Sequence, residues 1–488
     1  MTKINNKVQI VLDQTKKLYG NSEDLNTRII KVGKKNIGVM FLESSSSTST
    51  ISDYIIKAID YIKDDLKLFE NIKESIKNKI FNSQIITTTN FEEFSFYLSS
   101  GFTIIVIDGY EEAIILETRE TLDRGITEAT TEPILRGPKD SFTESHAKNL
   151  GLIRKRIKDN NLWFKSTKVG RRTKTRISIA YISDIVDQTW INKIQNKLDK
   201  INVDGILDSG NIHEYLSTEK SSFPQILSTE RPDLACQALL NGKIVILVEN
   251  SPFVLIMPSV FTDFIHTSED QFQKASNINF TRILKMISLF ITIFTPALYI
   301  AITTFDQTVV PDKLLISLAV QREGVPFPTS FEIILLMTIF EVLRESDIRL
   351  PSNMGASMSI VGALVLGQAA VDAGIVSPIA VIIVAITSIS SLIFNDPDFI
   401  NAIRTWRFIF IFAATFLGLV GIVSASFCFV LKLSSLETLG ISYLSPFSPL
   451  SSSAQKDSVI RFPLPKIFKR PEYINKKNLI KQGGKNEK

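Results

Sequence analysis

The sequence has few of the residues that build reactive or metal-binding sites. Only two cysteines and three histidines occur among 488 residues. Cys236 lies in ordinary globular sequence and Cys428 in a long apolar run, so we expect no disulfide between them and see no sign of an oxidising compartment. The histidines are scattered without the spacing of metal ligands. We therefore predict neither a metal nor any other cofactor.

Motifs that mark common enzyme classes are also missing. The sequence has no G-x-G-x-x-G or G-x-x-x-x-G-K-[ST] phosphate loop and no G-x-S-x-G nucleophile elbow. Kinase, hydrolase and metalloenzyme activities thus have little support, and we predict that the chain is not an enzyme. The first residues, MTKINNKVQIVLDQTKK, lack the apolar stretch and cleavage site of a signal peptide, so we expect residues 1–280 to stay in the cytoplasm.

Long apolar runs are present, but only in the second part of the chain. A hydrocarbon core of about 30 Å needs roughly 20 apolar residues of helix. Three runs meet this length, and a fourth meets it if Gln368 is tolerated. The three are Met286–Thr304, Ile375–Phe394 and Phe408–Leu431, and the fourth is Met354–Val371.

Two further apolar runs, Leu314–Val320 and Phe331–Leu343, are too short to span alone. Pro326 and Pro328 lie between them and break helix. Irregular backbone at membrane depth persists only where protein or water covers it. We interpret residues 314–343 as a re-entrant helix–break–helix hairpin, or as two short helices buried by their neighbours.

Basic residues set the expected orientation. Arg282 and Lys285 precede the first span, and the polar tail is rich in lysine. By the positive-inside rule both ends are cytoplasmic, which favours four or six crossings. Most of the net charge of +5 lies on the predicted cytoplasmic face, where it would attract anionic lipid. We predict domains at 1–130, 131–280, 281–435 (transmembrane) and 436–488 (basic tail).

The soluble part contains two similar segments, SSGFTIIVIDGYEEAIILE (99–117) and LNGKIVILVENSPFVLIMP (240–258). Gly101 aligns with Gly242 and Gly109 with Asn250, and each segment predicts a helix end, a buried strand, a tight turn and a second strand. Strands at 37–44 and 177–184, each leading to a helix, lie at a similar offset. We infer two similar α/β subdomains; chance similarity of short β-rich segments is the alternative.

Two polar features of this part carry weaker signals. The hydroxyls of SSSSTST (44–50) could hold an anion, although such a run more often supplies a helix N-cap. The basic stretches LIRKRIK (152–158) and KVGRRTKTR (168–176) could contact nucleic acid. On a membrane-bound chain, a solvated face or anionic lipid is the better interpretation, so we predict no nucleic-acid partner.

A stripe of small residues follows the fourth apolar run. At about 100° per residue the stripe is about 60° wide, and small residues let membrane helices pack closely. Gln368 and Asp372 project from the opposite side. The stripe consists of Ala356, Ser359, Ala363, Gly367, Ala370 and Gly374.

The carboxylate of Asp372 should not face lipid, because a charge there costs several kcal/mol. It lies at the membrane surface, or in a buried contact, for example with Arg344, or on an ion path. Glu332 and Glu341 are two and a half turns apart, so they point to opposite sides of one helix. Glu341 is spaced to pair with Arg344 or to repel Glu345.

Several of these segments resemble the A subunits of GerA-type spore germinant receptors. They are GPKDSFTESHAKNLGLIRKRIK, FPQILSTERPDLACQALLNGKIVILVENSPFVLIMP, VPFPTSFEIILLMTIFEVLRESDIRLP and SMSIVGALVLGQAAVDAGIVSPIAVIIVAIT, in the family's order over residues 130–400. Family members often have Gly where this chain has Asn250; Asn tolerates positive φ, so we expect the turn to persist.

The resemblance implies a multi-pass protein of the spore inner membrane that works with an integral membrane B subunit and a lipoprotein C subunit. It further implies a homo-oligomeric ring that forms a nutrient-gated ion channel. The leading hypothesis is thus a channel or signal-transducing subunit: an α/β cytoplasmic domain of two similar subdomains followed by an all-α polytopic membrane domain. A non-conducting scaffold is the alternative, and a secondary transporter would usually need more spans.

Overall fold

The computed structural model describes residues 3–64, 73–74, 80, 85–120, 129, 131–134, 136–217, 221–347, 367–451, 454–474 and 478–481. The chain forms two compact units. The sheet unit comprises Met1–Glu219, Gln225–Ser259 and Leu464–Lys488, and the helical unit comprises Lys220–Pro224 and Val260–Pro463. An α/β region followed by a helical region with apolar helices confirms the predicted fold class. The domain boundaries drawn from the sequence stay predictions.

The first half of the sheet unit is built on five antiparallel strands. Its elements are α1 Val8–Leu18, β1 Leu25–Val32, β2 Lys35–Leu42, α2 Lys57–Asp64 (preceded by helical turns at Thr48–Thr50 and Ile51–Ile56), β3 Ile85–Thr88, α3 Phe91–Ser99, β4 Thr103–Ile107 and β5 Ala113–Leu116. The strand order is β1–β2–β4–β5–β3. Along β4, Ile104 packs with α1 and α3, whereas Ile105 packs with the helical segment on the other face. Because neighbouring side chains point to opposite faces and both faces are covered, every residue of β4 is buried and all but Thr103 are apolar.

The second half repeats this arrangement. Its elements are α4 His146–Arg156, β6 Leu162–Val169, β7 Thr175–Ile182, α5 Gln188–Asp199, α6 Ser209–Leu216, β8 Leu227–Thr229, α7 Pro232–Leu240, β9 Ile244–Val248 and β10 Val254–Met257. The strand order is β6–β7–β9–β10–β8, again antiparallel. The two sheets therefore share one topology, which confirms the prediction of two similar subdomains.

The aligned turn residues adopt matching backbone conformations. Gly101 and Gly242, which follow α3 and α7, have φ of +88° and +94°. Gly109 and Asn250, in the hairpins between the two buried strands, have φ of +87° and +66°. Positive φ favours glycine, and asparagine tolerates it better than most other residues. The expectation that Asn250 keeps the turn is confirmed.

A buried ion pair joins the two halves of the sheet unit. Arg154 on α4 donates from Nε to Asp24 Oδ2 (3.0 Å) and from Nη2 to Asp24 Oδ1 (3.1 Å). The hydroxyls of Ser22 and Ser44 donate to the same carboxylate at 2.6 and 2.7 Å. Burial by itself would raise the pKa of Asp24, but the guanidinium and the hydroxyl donors outweigh burial and lower it.

The helical unit contains the apolar runs of the sequence. Its longer helices are α8 Ala275–Thr304, α9 Asp312–Gln321, α10 Thr329–Asp347, α11 Pro378–Ser391 and α12 Pro397–Ser434, with short strands β11 Glu437–Thr438 and β12 Ile441–Ser442. Of the described helices, α8 and α12 are long and apolar enough to cross a membrane. Most of the fourth run, Met354–Val371, lies outside the described residues. α8 packs on α11 and α12, and α10 packs on α8, α11 and α12.

The two short apolar runs form separate helices, α9 and α10. Residues 322–328, which include Pro326 and Pro328, separate them. Both sequence interpretations of this region require such a break.

The basic residues in the first half of α8, Arg282 and Lys285, are buried. Arg282 Nε donates to Asp270 Oδ2 (2.7 Å), and Lys285 Nζ donates to the carbonyl of Ile265 (3.1 Å).

Candidate functional site

The first turn of α10 places a carboxylate inside the helical unit. Glu332 is fully buried. Its Oε1 accepts a hydrogen bond from the backbone N–H of Ser377. Ser377 is the N-cap residue of α11, and its own hydroxyl accepts from the N–H of Ala380. The N-terminus of a helix is the positive end of its dipole, so it favours the negative charge of Glu332.

The second oxygen of this carboxylate is not satisfied. Glu332 Oε2 and Thr329 Oγ1 are buried, and neither has a hydrogen-bond partner among the residues that the structure describes. The hydroxyl of Tyr299 on α8 is also buried without a hydrogen-bond partner among the described residues, and it lies within electrostatic range of Glu332 and Arg322. An unpaired buried polar group costs about 1–3 kcal/mol, and a water or cation can remove that cost. Oε2 of Glu332 is thus an acceptor that a water molecule or a cation would stabilise.

Glu341, on the opposite side of α10, has a different environment. Its carboxylate forms ion pairs with two arginines of α12: Arg404 Nε lies 3.0 Å from Oε2, and Arg407 Nη2 contacts Oε1. Arg407 is buried. The sequence spacing suggested Arg344 as a partner, but the pairing side chains come from another helix. A half-buried carboxylate with two cations beside it fits a structural contact.

α12 is broken in its middle. Gly418 has φ +58° and ψ −138°, a backbone conformation that residues other than glycine rarely adopt. A Cβ at this position would lie 2.8 Å from Asp306 Oδ2. The same oxygen of Asp306 accepts the backbone N–H of Leu419 at 3.0 Å. A second carboxylate therefore meets the N-terminus of a half-helix, an arrangement that membrane proteins use for ion and substrate sites.

Gln368 and Asp372 lie on the surface of the helical unit. Both side chains are exposed, and Gln368 Nε2 donates to Asp372 Oδ1 at 3.0 Å. The helix of residues 367–372 ends at Gly374, which has φ +67°. An exposed Asp372 is compatible with the membrane-surface and the ion-path interpretations, and its carboxylate bonds to Gln368 rather than to Arg344.

Half of the small-residue stripe lies outside the described part of the chain, namely Ala356, Ser359 and Ala363. Gly367, Ala370 and Gly374 are half-buried. A Cβ on Gly367 would lie 3.4 Å from Val381 Cγ1 of α11, so this end of the stripe approaches a neighbouring helix. Close helix packing through the whole stripe stays a prediction.

Comparison with known families identifies the chain. A family model described as "Bacillus/Clostridium GerA spore germination protein" matches residues 13–473. The chain belongs to the GerA spore germination protein family. One relative is "Spore germination protein KA" of Bacillus subtilis (strain 168), which is 38% identical over 486 residues, with 96% of this chain and 87% of the relative covered. Another is "Spore germination protein GerLA" of Bacillus cereus, which is 32% identical, with 96% of each chain covered.

Among solved structures, the GerA-family chain resembles the crystal structure of the N-terminal domain of the A subunit of the Bacillus megaterium spore germinant receptor GerK3. The two share 28% sequence identity with a TM-score of 0.43. The match covers 53% of this chain and 98% of that one.

Sequence reasoning missed three charged residues of this GerA-family chain. Asp306 follows the first apolar run, and Arg404 and Arg407 precede the third. Their position at the ends of apolar runs is a signal, because charges near membrane depth need partners. The identity of the partners was not readable, since Glu341 and Arg407 are 66 positions apart.

Proposed function

We propose that this chain is the A subunit of a spore germinant receptor and forms an oligomeric, nutrient-gated ion channel. Membership of the GerA family supports the role in germination. The proposal places the chain in the spore inner membrane with several crossings, with the sheet unit and the C-terminal tail on the cytoplasmic side. Its partners are further copies of itself in a ring, the B and C subunits of the receptor, and anionic lipid.

The single observation that carries the channel proposal is the half-satisfied carboxylate of Glu332. A channel needs sites that bind a cation well enough to admit it and weakly enough to release it. Glu332 Oε1 is held by the N–H of Ser377, whereas Oε2 is buried without a partner among the described residues. One oxygen positions the group and the other stays available for a cation.

A non-conducting scaffold is the second candidate, and the ion pairs of Glu341 favour it. A carboxylate with two arginine partners serves packing rather than conduction. In the scaffold model the GerA-family chain assembles the receptor while another subunit conducts.

Reconstitution in liposomes tests both candidates. K⁺ efflux is measured for the chain alone and with its B and C partners, before and after addition of amino acids, sugars and nucleosides. For the channel we expect nutrient-dependent efflux that needs this chain and falls roughly tenfold or more in Glu332→Gln, the scale of one lost charged contact. Glu323→Gln, an exposed glutamate at the break before α10, is the matched control and should conduct as wild type.

Nutrient-dependent efflux from the partners without this chain would reject the channel and support the scaffold. Wild-type efflux in Glu332→Gln, together with a requirement for this chain, would retain the channel and remove Glu332 from its path.

A further inference from the structure

The long helix α12 folds back on itself at its break. Trp406 and Phe429 are 23 positions apart in the chain, which would separate them by about 34 Å along a straight helix. Their ring centroids are only 5.0 Å apart, and the ring of Phe410 lies 6.1 Å from that of Phe429. α12 is therefore a hairpin of two antiparallel arms, residues 397–417 and 419–434, which join at Gly418.

Small residues on the inner face of the second arm allow the two arms to pack closely. A Cβ on Gly421 would overlap the backbone carbonyl of Ala413 in the first arm. Ala425, one turn further along the second arm, is buried as well. Small residues at a helix interface let the backbones of two membrane helices approach each other. The sequence of α12 thus favours the hairpin both at the turn and between the arms.

The neighbouring helix α8 shows how far the hairpin extends. Its apolar run Met286–Thr304 is about 28 Å long as a helix, which matches the hydrocarbon core of a bilayer. Asp306 follows this run directly, and its Oδ2 accepts the backbone N–H of Leu419 at 3.0 Å. Leu419 is the first residue after the turn of the hairpin. The turn therefore lies at the same level as the end of the apolar run of α8.

Both feet of the hairpin lie at the beginning of that apolar run. The ring of Phe399 in the first arm stacks on Phe264 with 5.6 Å between centroids, and Tyr443, which follows the second arm, lies 6.2 Å from the same ring. The next residue, Ile265, accepts a hydrogen bond from Lys285, which directly precedes the apolar run of α8. The hairpin thus covers the full length of this run in both directions.

The outer face of the second arm is apolar and exposed. Its side chains at Val420, Val423, Phe427 and Val430 are spaced three or four residues apart, so they share one side of the helix. No charged residue occurs from 408 to 431. Membrane helices pack on each other through small residues, which this arm has on its inner face only. The bulky outer face is therefore suited to lipid tails rather than to another helix.

We propose that α12 crosses the membrane twice, with its Gly418 turn at the surface opposite its two feet, and that the outer face of its second arm contacts lipid hydrocarbon. The sequence predicts a single span at Phe408–Leu431, but the turn lies near the centre of that run and reverses its direction. The proposal rests on the proposed membrane location of the chain and is independent of ion conduction.

Cross-linking of the full-length chain in lipid vesicles tests the reversal. The variants carry Cys236→Ser/Cys428→Ser, so that only introduced thiols react. Dibromobimane, a short thiol cross-linker, should join the thiols of Trp406→Cys/Phe429→Cys, and PEG-maleimide added after denaturation should then find neither thiol free. Trp406→Cys/Phe416→Cys, with both thiols about 15 Å apart on the first arm, is the matched control and should keep two free thiols. Two free thiols in the first pair as well would overturn the hairpin.

Labelling at exposed positions tests the two crossings without altering the core. Asn395→Cys and Ser435→Cys lie at the feet and Leu417→Cys lies at the turn. In sealed vesicles of uniform orientation, an impermeant maleimide should label both feet from one side and the turn from the other. Labelling of the two feet from opposite sides would show a single crossing, and protection of the turn on both sides would show a re-entrant hairpin; either result overturns the proposal. A chain that carbonate extracts, with all three positions labelled from one side, would reject the membrane location itself.

Fluorescence quenching tests the contact with lipid. In a Trp163→Phe/Trp190→Phe/Trp406→Phe background, Val423→Trp carries the single indole. Phospholipids brominated in their acyl chains should quench most of its fluorescence. Tyr215→Trp, at an exposed position on α6 of the sheet unit, is the control and should keep its fluorescence. An unquenched Val423→Trp would mean that another helix or a second copy of the chain covers this face, and would overturn the lipid contact.

Discussion

Two buried carboxylates, one in each unit, differ in how many hydrogen bonds they accept. Asp24 in the sheet unit receives two bonds from Arg154 and one each from Ser22 and Ser44. Glu332 in the helical unit receives one backbone N–H from Ser377, and its second oxygen has no partner among the described residues. Both groups are almost inaccessible to solvent.

The difference separates a structural charge from one available for function. A buried carboxylate that is fully bonded holds two elements together, and its removal leaves an uncompensated partner. A buried carboxylate with only one bonded oxygen carries the free-energy penalty of an unpaired acceptor, and a cation or water molecule that binds there removes this penalty. Burial alone would not have distinguished Asp24 from Glu332, whereas their hydrogen-bond partners do.

The largest effect on stability is expected for Asp24→Asn. Loss of the charge leaves Arg154 buried beside a neutral group, so the free energy of unfolding should fall by about 3–5 kcal/mol. A Trp406→Phe background leaves Trp163 and Trp190 as fluorescence probes of the sheet unit during chemical unfolding. The exposed pair of Asp53 and Lys57 provides the control, because Asp53→Asn should leave stability unchanged. A loss for Asp24→Asn no larger than for Asp53→Asn would break the comparison.

Gly418→Ala should lower the free energy of unfolding by about 2–3 kcal/mol, because the new side chain strains the backbone and contacts the Asp306 carboxylate. Gly374→Ala separates the two causes, since Gly374 also has positive φ but a Cβ there meets nothing within 4 Å. We expect about 1 kcal/mol for that control. Unfolding in mixed micelles, followed by Trp406 fluorescence in a Trp163→Phe/Trp190→Phe background, measures both variants. Equal costs would show that Asp306 does not constrain the break in α12.

Stability of the sheet unit should also fall as pH rises from about 5 to 8. Burial raises the pKa of Glu132 from 4.5 to about 7, although Thr229 Oγ1 donates to it at 2.5 Å. The folded chain then holds this proton more tightly than the unfolded chain, so the contribution is complete below pH 4.5 and is lost as pH passes 7. We expect a loss of about 1–3 kcal/mol in the Trp406→Phe background, and none in Glu132→Gln.

The pH dependence of Asp24 has the opposite sign. Its pKa in the folded chain lies below the ordinary 3.8, so its contribution is present above pH 3.8 and is lost as pH falls further. The two windows do not overlap. If the stability of Glu132→Gln still falls between pH 5 and 8 as it does in the wild type, Glu132 is not the source of that pH dependence.

Glu332→Gln sharpens the comparison, because it makes the same chemical change as Asp24→Asn in the other unit. The Gln amide oxygen still accepts the Ser377 N–H, and no described cation is left unpaired by the change. The free energy of unfolding should shift by less than about 1 kcal/mol, as judged by Trp406 fluorescence. A loss of the size expected for Asp24→Asn would mean that Glu332 is structural.

The smallest effect on stability is expected for Asp372→Asn, which is exposed and bonds to Gln368 within its own helix. Protein level and unfolding should match wild type, while ion selectivity or germination rate changes if the carboxylate lines a path. Selectivity in liposomes and germination of spores carrying the variant measure this. Unchanged ion release would place Asp372 at the membrane surface.

Much of the fold was predictable from short patterns. The full burial of β4 and the turns at Gly109 and Asn250 follow from local sequence, because a strand and a tight turn each depend on a few adjacent residues. The break at Pro326 and Pro328 was predictable for the same reason. The antiparallel pairing of β2 with β4 was not, since it joins Ile37 to Ile107 across an intervening helical segment.

The candidate site was predictable only in part. Glu332 and Glu341 were selected because carboxylates in apolar sequence need an explanation. Their partners are a backbone N–H at the start of α11 and an arginine side chain of α12, which lie 45 and 66 positions away in the chain.

The sequence by itself determined the class of each region. The spacing of apolar residues and the length of apolar runs indicate strands and helices, and proline and glycine mark breaks and turns. Family motifs indicate the protein family. Tertiary structure decided which buried charges are satisfied. Local conformation depends on neighbours in the chain, whereas the free energy of a buried charge depends on the donors that distant elements bring to within about 3 Å of it.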